Sequence, residues 1–217
     1  ENILGNDKIK TELINLVSSN KYTHSTLFVG IEGIGKKKIA REFAKMILCE
    51  GEKKYCNKCK SCIEFSSNNN PDFSEIVPDG NSIKIEQIRE LHKKAIEAPI
   101  ISKRKVYIID DADKLTLEAQ NALLKLLEEP PNFLNLILIG SNEFSFLNTI
   151  KSRCSIIRFN AISNTDIEDY LKKNFENQDI SNSIIEAANG SIAKAINLKD
   201  KKELYEAINF TINRNRK

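Results

Sequence analysis

Phe28-Val29-Gly30-Ile31-Glu32-Gly33-Ile34-Gly35-Lys36-Lys37 joins two segments of different character. Residues 26–29 before the loop form a short apolar run that predicts a buried strand, and residues 37–48 after it have the apolar spacing of a helix. A strand, a glycine-rich loop and a helix in this order are the context of a phosphate-binding loop. There, backbone N–H groups and the helix N-terminus receive phosphate oxygens. The pattern G-x-x-x-x-G-K-[ST] is matched at Gly30, Gly35 and Lys36.

The last position of the pattern is not matched. Lys37 stands where a serine or threonine hydroxyl should hold Mg²⁺, and an ammonium group repels that metal. We therefore predict a loop that keeps its architecture and has lost its catalytic competence.

Composition sets broad limits on the chain. Its 217 residues suffice for one large domain or two small ones, and 41% hydrophobic with 29% charged residues is ordinary for a globular protein. A net charge of +3 is too small to argue for nucleic acid by itself. We find no apolar run of the roughly 18 residues that a membrane helix needs and no signal-like start. We expect a cytoplasmic protein with no membrane partner and, without an initial methionine, either a processed chain or an excised fragment.

Further apolar runs predict the sheet. Residues 106–109 are continuously apolar, and 134–140 are apolar except for Asn135, as in strands buried on both faces of a parallel sheet. The first run ends in Asp110 and Asp111, at the strand end where α/β folds place ligands. Strands stop after residue 160. We predict an α/β domain at 1–160 and a small all-helical domain at 161–217, with helices that include 181–189 and 202–213.

Four cysteines follow the loop helix in one short segment: Cys49, Cys56, Cys59 and Cys62. Their spacing, C-x6-C-x2-C-x2-C, lets four thiolates close a tetrahedral site, and in a cytosolic protein such spacing favours metal over disulfides. We predict a structural Zn²⁺ module at about 49–62, with an iron–sulfur cluster as the competing interpretation. Four protein ligands leave no position for a catalytic water.

The chain resembles the AAA+ clamp-loader subunits of bacterial DNA polymerase III, and among them the delta-prime class. The resemblance rests on the Gly30–Lys36 loop, the four-cysteine insertion, residues 121–131 (NALLKLLEEPP) and Ser152-Arg153-Cys154, in this order. It implies a P-loop parallel sheet flanked by helices, followed by a helical lid. The family carries a third, helical collar domain, and we expect this chain to stop before it.

The resemblance also assigns roles to single residues. It implies a nucleotide site with its loop and Walker B residues at Gly30, Gly33, Gly35, Lys36 and Asp110. It puts Asp111 where ATPases carry the water-activating glutamate, and Ser141 or Asn142 at sensor 1. Arg153 matches an arginine finger that reaches the ATP site of a neighbouring subunit.

Three positions depart from the hydrolysing members of the family. Lys37 removes the metal-binding hydroxyl, Asp111 is one methylene shorter than glutamate, and Ala193 stands where sensor 2 carries arginine. Hydrolysis needs phosphate, metal, water and charge stabilisation positioned together. We therefore expect no turnover at this site and leave ATP and Mg²⁺ binding open.

The resemblance implies a non-hydrolysing structural subunit that supplies Arg153 in trans while a sliding clamp is loaded onto DNA. The implied partners are the tau/gamma and delta subunits, with the clamp and primer-template DNA reached through the complex. One alternative is an active ATPase of the tau/gamma type. Another is a zinc-dependent nucleic-acid-binding module, motivated by the four lysines among the cysteines: Lys53, Lys54, Lys58 and Lys60.

Overall fold

The computed structural model of the protein describes residues 3–175 and 182–201. The contacts divide the chain into two compact units. One comprises residues 7–30 and 36–159, and the other comprises the described residues of 1–6, 31–35 and 160–217. The second unit is thus discontinuous in sequence and includes the middle of the glycine-rich loop.

The first unit is built on a parallel sheet of five strands: β1 Ser25–Val29, β2 Phe73–Ile76, β3 Lys105–Ile109, β4 Leu134–Gly140 and β5 Ser155–Arg158. Their order in the sheet is β2-β3-β4-β1-β5, and every neighbouring pair is parallel. Every residue of β1, β3 and β4 is buried, whereas the outer strands β2 and β5 are partly exposed. Continuous apolar runs are therefore the inner strands, as the sequence predicts.

Six helices belong to the same unit: α1 Asp7–Ser18, α2 Lys36–Leu48, α3 Lys60–Ser66, α4 Ile85–Ala95, α5 Leu117–Glu128 and α6 Asn148–Lys151. Short 3-10 turns lie at Ala112–Lys114 and Glu143–Ser145. Apolar faces of α4 and α5 pack with the sheet into a core that includes Ile88, Leu91 and Leu123. The predicted α/β class, a parallel sheet flanked by helices, is confirmed.

Two helix ends are set by the local sequence. Helix α4 ends at Ala95, and the next residue, Ile96, is 68% exposed. Helix α3 begins at Lys60, inside the cysteine segment. Its N-terminal cap is the Cys59 sulfur, which accepts the N–H of Cys62 at 3.5 Å.

The second unit contributes helices α7 Asn164–Asn174 and α8 Asn182–Ala188, and residues 192–201 are also helical. Ser163 caps α7 by accepting the N–H of Asp166 at 3.1 Å. The helix expected at 202–213 and the basic tail lie outside the described residues. The division of the chain at residue 160 into two domains stays a prediction.

None of the helices in the described ranges combines the length and apolar character that a bilayer span requires. The cytoplasmic location expected from the sequence stays a prediction.

Candidate functional site

The carboxyl ends of the strands bring the predicted loop and acidic residues of the first unit to one edge of the sheet. Gly30 follows β1 and donates its N–H to the carbonyl of Gly140, while Asp110 follows β3 and donates its N–H to Ile76. The Lys36 side chain is only 7% exposed, and its ammonium donates to the Gly30 carbonyl at 2.5 Å. The lysine and the first glycine of the predicted phosphate loop are therefore held together.

Lys37 occupies the centre of a charge cluster at this edge. Its ammonium lies 3.0 Å from the Asp110 carboxylate and 3.2 Å from the carboxylate of Glu75, at the end of β2. Partial burial lowers the pKa of Lys37, but the hydrogen bond and charge of Asp110, with those of Glu75, outweigh it and raise the pKa overall. Lys37 is thus a permanent cation beside the predicted Walker B carboxylate. A metal approaching Asp110 would have to displace it.

Glu75 is a residue of this cluster that the sequence reasoning missed. It is also paired with Arg41 of α2, whose second guanidinium nitrogen donates to Asn68 at 2.6 Å. The same guanidinium lies over the rings of Phe65 and Phe73, 5.5 Å and 5.4 Å from their centroids. The sequence did offer a signal for Glu75, namely a charged residue inside a short predicted strand. A strand interior rarely holds a glutamate without a charged partner.

Asp111 and the two sensor candidates are engaged with neighbours in the same unit. Asp111 adopts a left-handed conformation (φ 48°), and its carboxylate pairs with Lys114 at 2.8 Å. The Ser141 hydroxyl donates to Asp113 at 2.6 Å. The Asn142 side chain caps a 3-10 turn by accepting the N–H of Phe144 at 3.0 Å. Each of these polar groups thus has an internal role in the structure.

The middle of the loop belongs to the second unit. Gly33 has φ 76°, and its carbonyl accepts the N–H of Ala193 at 3.1 Å. A Cβ at Gly33 would lie 2.7 Å from the Cβ of Ala193. The residue at the predicted sensor 2 position therefore packs directly on the loop backbone, and only glycine fits there.

Arg153 lies just beyond the end of α6, in the first unit. One guanidinium nitrogen donates to the Thr149 carbonyl at 2.9 Å, and the other pairs with Glu128 of α5 at 2.9 Å. The Arg153 side chain is 34% exposed and that of Glu128 is 49% exposed. This ion pair is at the surface, where water and salt weaken it, so a competing anion could take the guanidinium.

The four cysteines converge. The sulfurs of Cys49, Cys56, Cys59 and Cys62 all lie within 4.8 Å of one another. Tetrahedral Zn–S bonds of about 2.3 Å place sulfurs roughly 3.8 Å apart. The set can therefore close on a metal ion after a small contraction, and its thiol chemistry suits zinc or iron. The cysteine spacing in the sequence predicted such a metal-binding group, and the structure agrees.

Backbone N–H groups prepare these sulfurs to carry charge. The Cys56 sulfur accepts the N–H of Lys58 at 3.5 Å and that of Cys59 at 3.3 Å. These two bonds lower the pKa of Cys56 to about 6. Burial raises the pKa of Cys62. A cation at the centre would favour the thiolate form of all four ligands.

A buried polar network attaches the cysteine module to the sheet. Ser61, between two of the cysteines, accepts the Asn70 amide and the Ser102 hydroxyl, each at 2.9 Å. Asp72 is fully buried and accepts three successive backbone N–H groups, from Ile100, Ile101 and Ser102, at 2.6–2.7 Å. The sequence contained no signal for this carboxylate, which lies in a polar loop.

Known proteins resemble this chain in sequence. A family model described as "DNA polymerase III, delta subunit" matches residues 5–163. DNA polymerase III subunit delta' of Bacillus subtilis is 34% identical over 196 residues, which is 90% of this chain and 59% of that protein. Subunit gamma of Buchnera aphidicola is 37% identical over 205 residues, 90% of this chain and 56% of that protein. The chain thus spans less than two thirds of these relatives.

Solved structures share the fold. Thermotoga maritima RuvB, a Holliday junction branch migration motor, superposes with a TM-score of 0.58 at 14% identity, covering 95% of this chain and 64% of RuvB. A gamma subunit-related protein of the same organism gives a TM-score of 0.55 at 24% identity over 76% of this chain and 50% of its own. The AAA+-like fold class expected from the sequence is confirmed. By its fold and its match to the family model, the chain belongs to the clamp-loader family of DNA polymerase III subunits.

Proposed function

We propose that this chain is a delta-prime-type clamp-loader subunit that does not hydrolyse ATP. The observation that carries the proposal is the pairing of Lys37 with Asp110 at 3.0 Å and with Glu75 at 3.2 Å. The ammonium neutralises the carboxylates that would otherwise attract Mg²⁺, and phosphoryl transfer at such a site depends on that metal. The Asp111–Lys114 pair adds to the argument, because a carboxylate held by a lysine is a poor water-activating base.

The chain then acts on a neighbour's ATP rather than its own. Arg153 is the candidate for this role, since a guanidinium is always charged and presents a planar fork to phosphate oxygens. In the chain by itself, the Arg153 side chain pairs with Glu128 at the surface. Stronger, desolvated contacts with a triphosphate would replace that weak pair. The partners are the tau/gamma and delta subunits, and through them the sliding clamp and primer-template DNA.

The cysteine centre has a structural role in this proposal. Zinc held by Cys49, Cys56, Cys59 and Cys62 would supply the cross-link that keeps the segment around α3 folded. The chain's own residues do the rest, because Ser61 and Asp72 attach that segment to the sheet.

A reconstituted complex tests the proposal with Arg153→Ala. We expect DNA-stimulated ATP turnover to fall by on the order of 10³ at the site that Arg153 completes, with the variant folded and assembled. Arg89→Ala is the matched control, because Arg89 is an exposed arginine on α4. Unchanged turnover in the Arg153 variant would contradict the role in trans.

An active ATPase of the tau/gamma type is the second candidate. Specific support comes from Bacillus subtilis subunit tau, 32% identical over 219 residues, and from the presence of Lys36 and Asp110. Lys36→Ala separates the two functions. It should abolish phosphate release by the isolated chain if the chain is an ATPase, whereas a non-hydrolysing subunit releases none before or after the change.

A further inference from the structure

Phe144 is the most exposed large apolar residue in the described part of the chain, with 91% of its surface open to water. It lies in the 3-10 turn between β4 and α6, on the same stretch of chain that leads to Arg153. The Phe144 side chain adds nothing to the packed core of this unit, because a side chain in water makes no core contacts.

The backbone on either side of Phe144 is firmly held. Asn142 caps the turn by accepting the N–H of Phe144 at 3.0 Å. The carboxylate of Glu143 takes a two-pronged bond from Arg158, at 2.8 Å and 2.7 Å. Phe146, on the other side of the turn, is buried, with 3% of its surface exposed. An apolar side chain on a flexible loop could fold back onto the surface, whereas this one stays presented.

A buried glutamine fixes the far side of the same turn. The Gln120 amide donates to the Ser145 carbonyl at 3.0 Å, and its oxygen accepts the N–H of Leu147 at 2.9 Å. Gln120 lies on α5, the helix that also carries Glu128, the partner of Arg153. One helix therefore positions both the phenylalanine turn and the arginine.

Charge around the ring indicates what kind of surface meets it. The Lys151 ammonium lies 6.0 Å from the Phe144 ring centroid, and Arg153 follows shortly after in the chain. The carboxylates of Glu128 and Glu143 pair with Arg153 and Arg158, so two of the cations in this part of the chain are already neutralised. A protein surface with an apolar socket and acidic groups at its rim fits this mixture better than a polyanion does.

We propose that Phe144 is the apolar anchor of the contact with the neighbouring ATP-binding subunit, and that Lys151 pairs with a carboxylate at the rim of its socket. This inference rests on the proposed function, since it identifies the occupant as the subunit whose ATP receives Arg153. Aromatic residues buried at the centre of an interface dominate binding, and a pre-ordered loop limits the entropy lost on association. Phe144 thus governs assembly, while Arg153 governs turnover.

Phe144→Ala in the reconstituted complex separates the two contributions. We expect the Kd for the ATP-binding subunit to rise by about tenfold or more, with turnover per assembled complex unchanged at saturating partner. Ile14→Ala is the control, because Ile14 is a large apolar residue of α1 that is 50% exposed. A photoreactive phenylalanine analogue at position 144 should crosslink to the ATP-binding subunit.

The outcomes are distinguishable. A Phe144→Ala complex with wild-type Kd, or a crosslink from position 144 only to DNA or to the sliding clamp, overturns the anchor while leaving the role of Arg153 intact. Unchanged turnover in Arg153→Ala together with a raised Kd in Phe144→Ala overturns the proposed function and keeps the contact. Failure of the wild-type chain to bind the ATP-binding subunit would overturn both.

Discussion

The ammonium of Lys37 lies 3.0 Å from the Asp110 carboxylate, beside the first turn of α2. A lysine at position 37, where the phosphate-loop pattern has serine or threonine, therefore changes two features of the site together. It removes a hydroxyl ligand for Mg²⁺, and it adds an internal cation that satisfies the remaining carboxylates. The altered residue has become part of what stabilises this edge of the sheet.

Lys37→Thr should show whether the Lys37 ammonium takes the place of a metal ion beside Asp110 and Glu75. Without added metal we expect a loss of about 1 kcal/mol in the free energy of unfolding, a modest value because the Lys37 side chain is 42% exposed. Added Mg²⁺ should restore stability to the variant and have no effect on the wild type, since threonine, Asp110 and Glu75 then offer oxygen ligands. Thermal unfolding with and without Mg²⁺ measures both effects.

Lys38→Met is the control for that experiment, because Lys38 is an exposed neighbour on the same helix. The raised pKa of Lys37 means that its contribution is complete at all pH values below about 10.5 and is lost only as pH rises through the still higher folded value. An Mg²⁺ response already present in the wild type would contradict our interpretation of the cluster.

Asp72→Asn should be among the most destabilising single changes in the first unit. The buried carboxylate accepts three backbone N–H groups, and an amide cannot satisfy all three. We expect the free energy of unfolding to fall by about 3 kcal/mol. Denaturant titration measures it, with Asp79→Asn as the control because Asp79 is exposed. A loss no larger than that of the control would mean that another group can hold these N–H donors.

Cys59→Ser should release the metal and loosen α3. Its sulfur is both a predicted ligand and the N-terminal cap of this short helix. Elemental analysis should give about one zinc per wild-type chain and much less in the variant, with a lowered Tm. Cys154→Ser provides the comparison, since Cys154 is outside the cluster and its variant should keep the metal. Equal metal content in the two variants would refute the assignment of Cys59.

Thiol alkylation of the metal-free protein should discriminate Cys56 from Cys154. Backbone N–H donors lower the pKa of Cys56 to about 6, whereas burial raises that of Cys154 to about 12. Cys56 should therefore react first, with a rate that rises through pH 6. Because its folded pKa is lowered, its contribution to stability is present above about pH 9 and is lost as pH falls through about 6. Mass spectrometry of the alkylated peptides identifies the order. A Cys56 rate that rises only through about pH 9, the ordinary pKa of a thiol, would show that the N–H bonds are absent.

Gly33→Ala should disturb the loop more than the same change at Gly80. Both glycines have positive φ, 76° and 64°, so alanine is strained at each by roughly 1 kcal/mol. Only at Gly33 does the added Cβ meet neighbours, the Ser191 hydroxyl and the Cβ of Ala193, the latter at 2.7 Å. We expect an extra loss of about 1–3 kcal/mol at Gly33 from this overlap. Equal losses for the two variants, measured by thermal unfolding, would show that Ser191 and Ala193 move aside.

Periodicity and spacing along the chain were sufficient to predict the fold class and the convergence of the cysteines. Continuous apolar runs such as residues 106–109 are typical of buried inner strands, and parallel strands bring their carboxyl ends to one edge. Gly30 and Asp110 were therefore expected at the same edge of the sheet. The four cysteines lie close together because the short chain that links them, residues 49–62, cannot separate them widely.

Tertiary structure alone decided the partners of the charged residues. Glu75 and Lys37 are separated in sequence by the whole of α3, and Glu128 and Arg153 by the whole of β4, so neither pair has a local sequence signature. Each pair depends on which strands are neighbours and on how helices pack against them, which no periodicity specifies. The same is true of Asp72, whose three N–H donors come after α4 in the chain. Residue types and spacing determined which chemistry is present, and packing decided which of those groups are already satisfied within the chain.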